Sequence, residues 1–315
     1  MTLRVVLCLD DAAELRWLER ARVLLPAAEV WLRKPSAPAD AAATQADYAI
    51  VGSPGAGLFD EQRSLKALFA LSAGVNAYLR LSNLPPNVPL VRLEDAGMAA
   101  PMTRYVLASV LRRALRLDTY ARDQRERRWV PQEARAPSTL QTGVLGLGAI
   151  GSAIACALRD HGFAVRGYAR SPRQIEGVRC MAGSNDFDAF FDGLDVLVSA
   201  LPLTPETDGV LNRRTLSRMA RGSHLVSIGR GAHLVDADLL ALLDAGNLAS
   251  ATLDVFRKEP LPADHPFWGR PEIEVTPHVS GPTLIEESLV QVAGKIRQLE
   301  RGEPISGIVD RQRGY

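Results

Sequence analysis

The chain has 315 residues, of which 47% are hydrophobic and 23% are charged, and its formal net charge is +1. This length allows two domains with a sizeable core, and the near-neutral charge gives no reason to expect nucleic acid or an anionic membrane as a partner. Three scattered cysteines (Cys8, Cys156 and Cys180) predict a reducing, cytoplasmic compartment, and no window approaches the roughly 18 apolar residues of a membrane span.

The first 98 residues alternate short apolar runs with helical patterns. The segments "LRVVLCL" and "ADYAIVG" predict buried parallel strands, whereas "AAELRWLERARVLL" and "SLKALFALS" predict helices. The Pro-rich segment "NLPPNVPLVRL" predicts a turn that leads into a further short strand. This alternation is typical of an α/β unit built on a parallel sheet.

A single long helix is predicted over residues 100–129. Its later half is rich in arginine, but the interspersed acids Asp118, Asp123 and Glu126 indicate an ion-paired, solvated face and not a nucleic-acid site. Residues at helical spacing predict a buried stripe along this helix: Tyr105, Val106, Ser109, Val110, Ala114 and Leu117.

The second half of the chain repeats the order strand, helix, strand. The segment "TGVLGLGAIGSAIACALRDHGFAVRGYAR" contains a strand, a glycine turn, a helix and a second strand. Further strand patterns follow in "DVLVSALPLT", "HLVSIGRG", "ASATLDVF" and "EIEVTPHVS", with helical patterns in "NRRTLSRMA" and "DADLLALLDAG". This series predicts a doubly wound parallel sheet, and "IEESLVQVAGKIRQLERGEP" predicts a last amphipathic helix.

The glycine turn "GLGAIG" has the context that a dinucleotide-binding turn requires, because an apolar strand precedes it and a helix follows. We expect Gly146 to permit the tight turn, Gly148 to let a pyrophosphate approach the backbone, and Gly151 to let helix and strand pack closely. The N-terminus of the helix offers N–H groups and a favourable dipole to the phosphates.

The segment "RGYARSPR" departs from the usual dinucleotide pattern. An acid is expected roughly 20 residues after the glycine turn, where it accepts hydrogen bonds from the ribose hydroxyls. This chain has Arg170, Ser171 and Arg173 there, and a guanidinium fork pairs with phosphate oxygens. The alternative is a merely solvated loop. The pattern predicts NADP(H), preferred over NAD(H), as the cofactor.

Three polar residues follow successive predicted strands: Arg230 in "SIGRG", Glu259 in "DVFRKEP" and His278 in "TPHVSG". Such positions converge at the carboxyl edge of a parallel sheet, and the three suit hydride transfer to a 2-keto acid. Arg230 would hold the substrate carboxylate, His278 would donate a proton to the carbonyl oxygen, and Glu259 would favour the imidazolium.

Each residue of that set, taken alone, is more often a surface or structural residue. We therefore interpret the other histidines as structural, and their spacing predicts no metal site. These are His161, His224, His233 and His265.

The chain contains the segments "GLGAIG", "LPLTPETDGVLN", "SIGRGAHLVD", "DVFRKEPLPADHPFW" and "TPHVSG". The resemblance that these segments carry is to the D-2-hydroxyacid dehydrogenase family, and specifically to its glyoxylate/hydroxypyruvate reductase A branch. It extends to "LSAGVNA" and "EDAGMAAPMTRYVL" near the N-terminus and to "VDRQRGY" at the end of the chain.

The resemblance implies two α/β lobes, with a Rossmann cofactor domain (99–280) inserted into a flavodoxin-like catalytic domain (1–98 and 281–315). It also implies a homodimer to which the 100–129 helix contributes. The backbone N–H groups of Ala73, Gly74 and Val75 would bind the substrate carboxylate, and Asp254 would hold the nicotinamide carboxamide. The remaining implied cofactor contacts are Ala149, Ile150, Leu201, Pro202, Thr207, Ile228, Gly229 and Ser280.

Two positions depart from the branch. Gly52, in "VGSPG", replaces an aromatic residue near the substrate pocket and would enlarge that pocket. Arg104 replaces an acid that is common ahead of "YVL" and would change a hinge or dimer contact. The sequence predicts an NADPH-dependent reductase of glyoxylate and hydroxypyruvate. The alternatives are a dehydrogenase for a bulkier 2-hydroxy acid and, less favoured, a non-catalytic nicotinamide-sensing protein.

Overall fold

The computed structural model describes residues 2–10, 12–53, 55–133 and 135–314. The chain divides into two compact units, Met1–Gly97 with Thr283–Tyr315, and Met98–Pro282. Pro54 of "VGSPG" and the last residue of "VDRQRGY" lie outside the described residues. Strands and helices are numbered below in chain order through both units.

The first unit is built on a five-stranded parallel sheet with the order β2-β1-β3-β4-β5. This is the strand order of flavodoxin-like folds. Its strands are β1 (Leu3–Cys8), β2 (Ala28–Arg33), β3 (Tyr48–Val51), β4 (Ala67–Ala70) and β5 (Leu90–Val91). Its helices are α1 (Glu14–Leu24), α2 (Ala56–Glu61), α3 (Asn76–Leu79) and, after the second unit, α10 (Ile285–Glu300).

The prediction of a helix over "SLKALFALS" is wrong, because this segment contains strand β4. All four residues of β4 are buried, and the strand pairs in parallel register with both β3 and β5. Alanine, leucine and lysine favour a helix, but burial on both faces of a sheet overrides that preference. A run of only four buried residues also suits a central strand better than a helix.

The second unit is built on a seven-stranded parallel sheet with the order β12-β11-β10-β9-β6-β7-β8. This is the Rossmann order extended by one strand, so the predicted fold class of two doubly wound α/β units is confirmed. Its strands are β6 (Gln141–Leu145), β7 (Ala164–Ala169), β8 (Arg179–Ala182), β9 (Val196–Ser199), β10 (Ser223–Ser227), β11 (Leu248–Leu253) and β12 (Ile273–Val275).

The helix predicted over 100–129 is divided into α4 (Ala99–Ala114) and α5 (Leu117–Arg125). Arg116 separates them because it adopts a left-handed conformation (φ 55°), which ends a helix in the manner of a C-terminal cap. The predicted stripe holds in α4, where Val106 and Val110 are buried, but Leu117 is exposed beyond the break. The other helices are α6 (Ala149–Asp160), α7 (Gly183–Phe191), α8 (Arg213–Leu216) and α9 (Asp236–Asp244).

His224 on β10 is buried between α4 and the sheet, as the structural interpretation predicts. Its Nδ1 lies 2.8 Å from Ser250 Oγ and its Nε2 lies 2.9 Å from Ser109 Oγ. Burial, reinforced by the charge of Arg113, lowers the pKa of His224 to about 4. Across the described ranges, none of the helices combines the length and apolar character needed to cross a bilayer.

We expect the free energy of unfolding to fall as the pH drops from about 6.5 to about 4, because the unfolded chain then binds a proton that buried His224 refuses. The contribution of His224 to the free energy of unfolding is at most about 3 kcal/mol, and it is fully present above about pH 6.5. Urea denaturation at pH 7 and pH 5 measures it. His224→Asn should be less stable at pH 7, and its free energy of unfolding should fall less between pH 7 and pH 5. An unchanged acid sensitivity in that variant would contradict this account.

Candidate active site

Three adjacent strands end at one edge of the second sheet. Strands β10, β11 and β12 are parallel neighbours, so their carboxyl ends meet at the same edge. Arg230 follows β10, Glu259 follows β11 and His278 follows β12. Arg230, Glu259 and His278 therefore follow three neighbouring strands at one edge of the sheet, in the order that the sequence predicts.

His278 and Glu259 form a hydrogen-bonded pair, with His278 Nδ1 2.8 Å from Glu259 Oε2. A carboxylate only accepts, so Nδ1 carries the hydrogen and Nε2 is the atom available for chemistry. The other carboxylate oxygen of Glu259 accepts from the backbone N–H of Phe256 at 2.8 Å. Both oxygens of Glu259 are thus engaged, and they fix the orientation of a histidine ring that stays 45% exposed.

The backbone of His278 is held in a left-handed conformation, with φ at 54°. Its N–H donates to Asp254 O at 2.9 Å and to Thr276 O at 3.0 Å. A side chain with a Cβ adopts this conformation only where its surroundings enforce it, and functional sites are a common place for that strain.

The carboxylate of Asp254 enforces the conformation of this loop. It is fully buried, and it accepts from Thr276 Oγ1 (2.6 Å), Val279 N (2.8 Å) and Ser280 N (2.9 Å). These donors lie on both sides of His278, so Asp254 fixes the segment that carries it. The contact of Asp254 with a nicotinamide carboxamide stays a prediction, as does that of Ser280.

Arg230 lies in a turn that two other segments enclose. A Cβ on Gly229 would lie 2.9 Å from Leu201 O, and one on Gly231 would lie 1.8 Å from Phe256 C, so neither position has room for a side chain. Burial lowers the pKa of the Arg230 guanidinium, and the charge of Glu259 acts in the opposite direction. An arginine keeps its charge at neutral pH in such a site.

The glycine turn after β6 has the geometry that a pyrophosphate requires. Gly146 has a φ of 106°, and a Cβ on Gly151 would lie 1.8 Å from Gly146 O. A Cβ on Gly148 would meet nothing within 4 Å, which leaves space in front of its backbone. Helix α6 begins at Ala149 and Ile150, without a side-chain cap or an acid in its first turn. These residues fit a dinucleotide phosphate.

Arg170, Ser171 and Arg173 are exposed and follow directly after β7 ends at Ala169. One acid from another loop approaches them. A hydrogen bond from Thr204, and to a smaller extent the charge of Arg170, lowers the pKa of Glu206. The sequence alone could not place Glu206 beside this cluster.

The remaining predicted contacts occupy two places. Thr207 Oγ1 donates to Pro202 O at 2.8 Å in the loop after β9, which also contains Leu201, and buried Ile228 follows β10. Ala73, Gly74 and Val75 lie in the first unit, between β4 and α3, where Ser72 Oγ donates to Gly74 O at 2.8 Å.

Sequence reasoning missed three contributors to this arrangement. Thr276 donates to Asp254, the N–H of Phe256 binds Glu259, and His233 contacts Arg230. Only His233 carried a signal, since a polar residue three positions after a turn residue is the spacing of a capping box.

A Rossmann-type sheet with this glycine turn, and with arginine, glutamate and histidine after three adjacent strands, defines a nicotinamide-dependent dehydrogenase of 2-hydroxy acids. Residues 107–280 match the model of the family described as D-isomer specific 2-hydroxyacid dehydrogenase, NAD binding domain. The chain belongs to this family, as the sequence motifs predict.

Its relatives place it in the glyoxylate/hydroxypyruvate reductase A branch. The enzyme of that name from Yersinia enterocolitica is 41% identical over 307 residues, which cover 95% of this chain and 96% of that protein. A D-isomer specific 2-hydroxyacid dehydrogenase from Xanthobacter autotrophicus Py2, solved with NADPH and MES, has a TM-score of 0.93 at 36% identity and full coverage of both chains. The NADPH-dependent glyoxylate/hydroxypyruvate reductase of Sinorhizobium meliloti, solved with NADP and sulfate, has a TM-score of 0.91 at 33% identity, covering 99% of this chain and 100% of that one.

Proposed function

We propose that the protein reduces small 2-keto acids, glyoxylate and hydroxypyruvate, to 2-hydroxy acids with NADPH. The hydrogen-bonded pair of His278 and Glu259, beside Arg230 at the carboxyl edge of a Rossmann sheet, is the observation that carries this proposal. The names of the relatives from Yersinia and Sinorhizobium support it.

The roles of the residues follow from their atoms. Bound nicotinamide supplies the hydride. Arg230 pairs with the substrate carboxylate and polarises the keto group. His278 Nε2 donates a proton to the carbonyl oxygen as charge develops there, and Glu259 stabilises the imidazolium through Nδ1. In the reverse direction the neutral ring removes that proton. The loop at Ala73, Gly74 and Val75 contributes backbone N–H groups to the carboxylate.

Arg170, Ser171 and Arg173 support a preference for NADP(H) over NAD(H), because they offer a 2′-phosphate positive charge and a hydroxyl in place of an acid. NADPH and NADH differ only in the 2′-phosphate, so the difference between their binding affinities reports on this cluster alone.

Replacing Arg170 with glutamine should weaken NADPH binding by about tenfold to a hundredfold and change NADH binding little, because a charge-assisted hydrogen bond contributes about 1.5–3 kcal/mol. Fluorescence titration with each nicotinamide measures this. Glu206→Gln is the matched control: it removes the negative charge that interacts with Arg170 and should not weaken NADPH binding. Equal losses for both nicotinamides in Arg170→Gln would refute the assignment.

A bulkier 2-keto acid is the second candidate substrate, and Gly52 favours it. Gly52 directly follows β3 and is exposed, so no side chain fills this position. A Cβ there would lie 2.9 Å from Leu9 Cδ2, the end of a flexible side chain, so the position can accept a side chain after a small shift. Arg230, Glu259 and His278 act only on the 2-keto acid group. Both substrate classes share this group, so these residues do not distinguish between them.

Initial rates of nicotinamide oxidation test the proposal. Glyoxylate, hydroxypyruvate and a branched 2-keto acid are each assayed with NADPH and with NADH. The proposal expects the highest kcat/KM for the two small acids with NADPH. Activity confined to the branched acid would replace the substrate class, and no turnover with any pair would overturn the proposal.

The proposal extends to a homodimer in the cytoplasm. Exposed apolar side chains occur just after α4, on α5 and in the segment that follows α5, and a second copy of the chain would cover them. Light scattering in solution tests this state. The residues are Leu115, Leu117, Tyr120, Trp129 and Val130.

A further inference from the structure

His233 is a fully buried histidine that the proposed chemistry does not use. It ends a short 3-10 helix, Gly231–His233, that directly follows Arg230. Its Nδ1 lies 3.3 Å from the backbone nitrogen of Arg230, and its Nε2 lies 3.2 Å from the carbonyl oxygen of Pro202. A backbone N–H only donates and a carbonyl only accepts, so Nδ1 is the acceptor and Nε2 carries the hydrogen.

The ring is neutral and cannot easily move. Burial lowers the pKa of His233 to about 4; the Pro202 carbonyl opposes this shift, and the charge of Arg230 adds to it. The backbone of His233 is also fixed, because its N–H donates to Arg230 O at 3.1 Å and its carbonyl accepts from Leu211 N at 2.8 Å. The imidazole therefore keeps a fixed distance between the turn at Arg230 and the loop at Pro202.

The residues around the ring hold it closely at both ends. A Cβ on Gly229 would lie 3.2 Å from His233 Cε1, so the ring packs directly on the peptide that precedes Arg230. At the other end, Pro202 O also accepts from Thr207 Oγ1 at 2.8 Å. Both acceptor positions of that carbonyl are then used, which fixes the loop after β9.

We infer that His233 is a positioning residue that sets the distance between the backbone of Arg230 and the loop at Pro202. The inference rests on the proposed function, in which Arg230 binds the keto acid, and on the cofactor contact that the family resemblance implies for Pro202. Nδ1 contacts the backbone of Arg230 and so affects keto acid binding, whereas Nε2 contacts Pro202 and so affects NADPH binding. Substitutions that remove one contact at a time therefore separate the effect on the keto acid from the effect on NADPH.

Two variants separate them. In His233→Asn the amide oxygen takes the place of Nδ1 and keeps the acceptor for Arg230, but nothing reaches Pro202. In His233→Gln the amide nitrogen takes the place of Nε2 and keeps the donor to Pro202, but the acceptor for Arg230 is lost. His233→Phe removes both hydrogen bonds.

We expect the Asn variant to weaken NADPH binding by about threefold to tenfold and to leave the KM for keto acid nearly unchanged, since one neutral hydrogen bond is lost. The Gln variant should show the opposite, and the Phe variant should show both losses. NADPH binding is measured by fluorescence titration without substrate, and KM and kcat are measured by steady-state kinetics at saturating NADPH.

His265→Asn is the matched control, because His265 Nδ1 also accepts a backbone N–H, that of Phe267, and the residue belongs to the same unit. It should change neither constant. Equal losses of both constants in the Asn and Gln variants, tracking a fall in melting temperature, would overturn the inference, as would unchanged constants in all three His233 variants.

A measurement on the unsubstituted protein covers the case in which the variants fail to fold. Selective ¹⁵N labelling of histidine should show His233 in the Nε2–H tautomer at neutral pH. An Nδ1–H tautomer would overturn the inference. If the unsubstituted protein binds NADPH but reduces no 2-keto acid, the proposed substrate fails, whereas the effect of His233→Asn on NADPH binding still decides the role of this residue.

Discussion

Replacing His278 with alanine is expected to lower kcat for 2-keto acid reduction by about 10²- to 10⁴-fold, the usual contribution of general acid catalysis. NADPH binding should stay within about twofold. The carbonyl oxygen must gain a proton as hydride arrives, and in the proposed complex His278 Nε2 donates it. The Glu259 carboxylate already occupies Nδ1 at 2.8 Å, so the ring cannot turn away without losing that bond.

Two further variants sharpen this result. Glu259→Gln keeps an acceptor for Phe256 N–H but loses the charge that stabilises the imidazolium, so its kcat should fall less than that of His278→Ala. His161→Ala is the control, since His161 is exposed and contacts Ala157 O of α6, the helix that it directly follows. Turnover retained in His278→Ala would remove this residue from the mechanism.

Replacing Arg230 with glutamine is expected to lower kcat/KM for the keto acid by about 10²- to 10³-fold, with most of the change in KM. Losing one partner of a buried, hydrogen-bonded charge pair costs about 2–5 kcal/mol. Lysine should restore little of this, because its single ammonium cannot reproduce the planar fork of a guanidinium. NADPH binding in the absence of substrate should be nearly unchanged.

Arg257→Gln serves as the control for that experiment. Arg257 is an exposed arginine of the same unit that donates to Asp208 Oδ1 at 2.9 Å and to Ala232 O at 2.7 Å. Its replacement removes a positive charge near the site and one hydrogen bond to Ala232 O, and it leaves the Arg230 guanidinium in place. If both variants show the same KM, general electrostatic attraction explains the effect and the specific pairing with Arg230 is wrong.

The sequence was sufficient for the sheet and for the placement of the principal side chains. The glycine turn and the runs that form β10, β11 and β12 are local patterns, and parallel strands bring their carboxyl ends together by geometry. Arg230, Glu259 and His278 could therefore be grouped before any contact was known.

Features that depend on tertiary contacts could not be predicted. Strand β4 has the composition of a helix, and burial between two strands decides its structure. The break at Arg116 is set by one left-handed residue that local propensity does not favour. The three donors on Asp254 come from a segment more than twenty residues away, and His233 connects two loops that are distant in sequence.

The transfer of deuterium from NADPH to product tests the central claim most directly. Hydroxypyruvate is incubated with NADPH dideuterated at C4, and glycerate is analysed by mass spectrometry and NMR. Hydride transfer to the keto carbon predicts a single deuterium at C2 of glycerate and one NADP⁺ formed per glycerate, with formation slowed in His278→Ala. Glycerate without deuterium at C2, or NADPH oxidation without glycerate, would contradict the account.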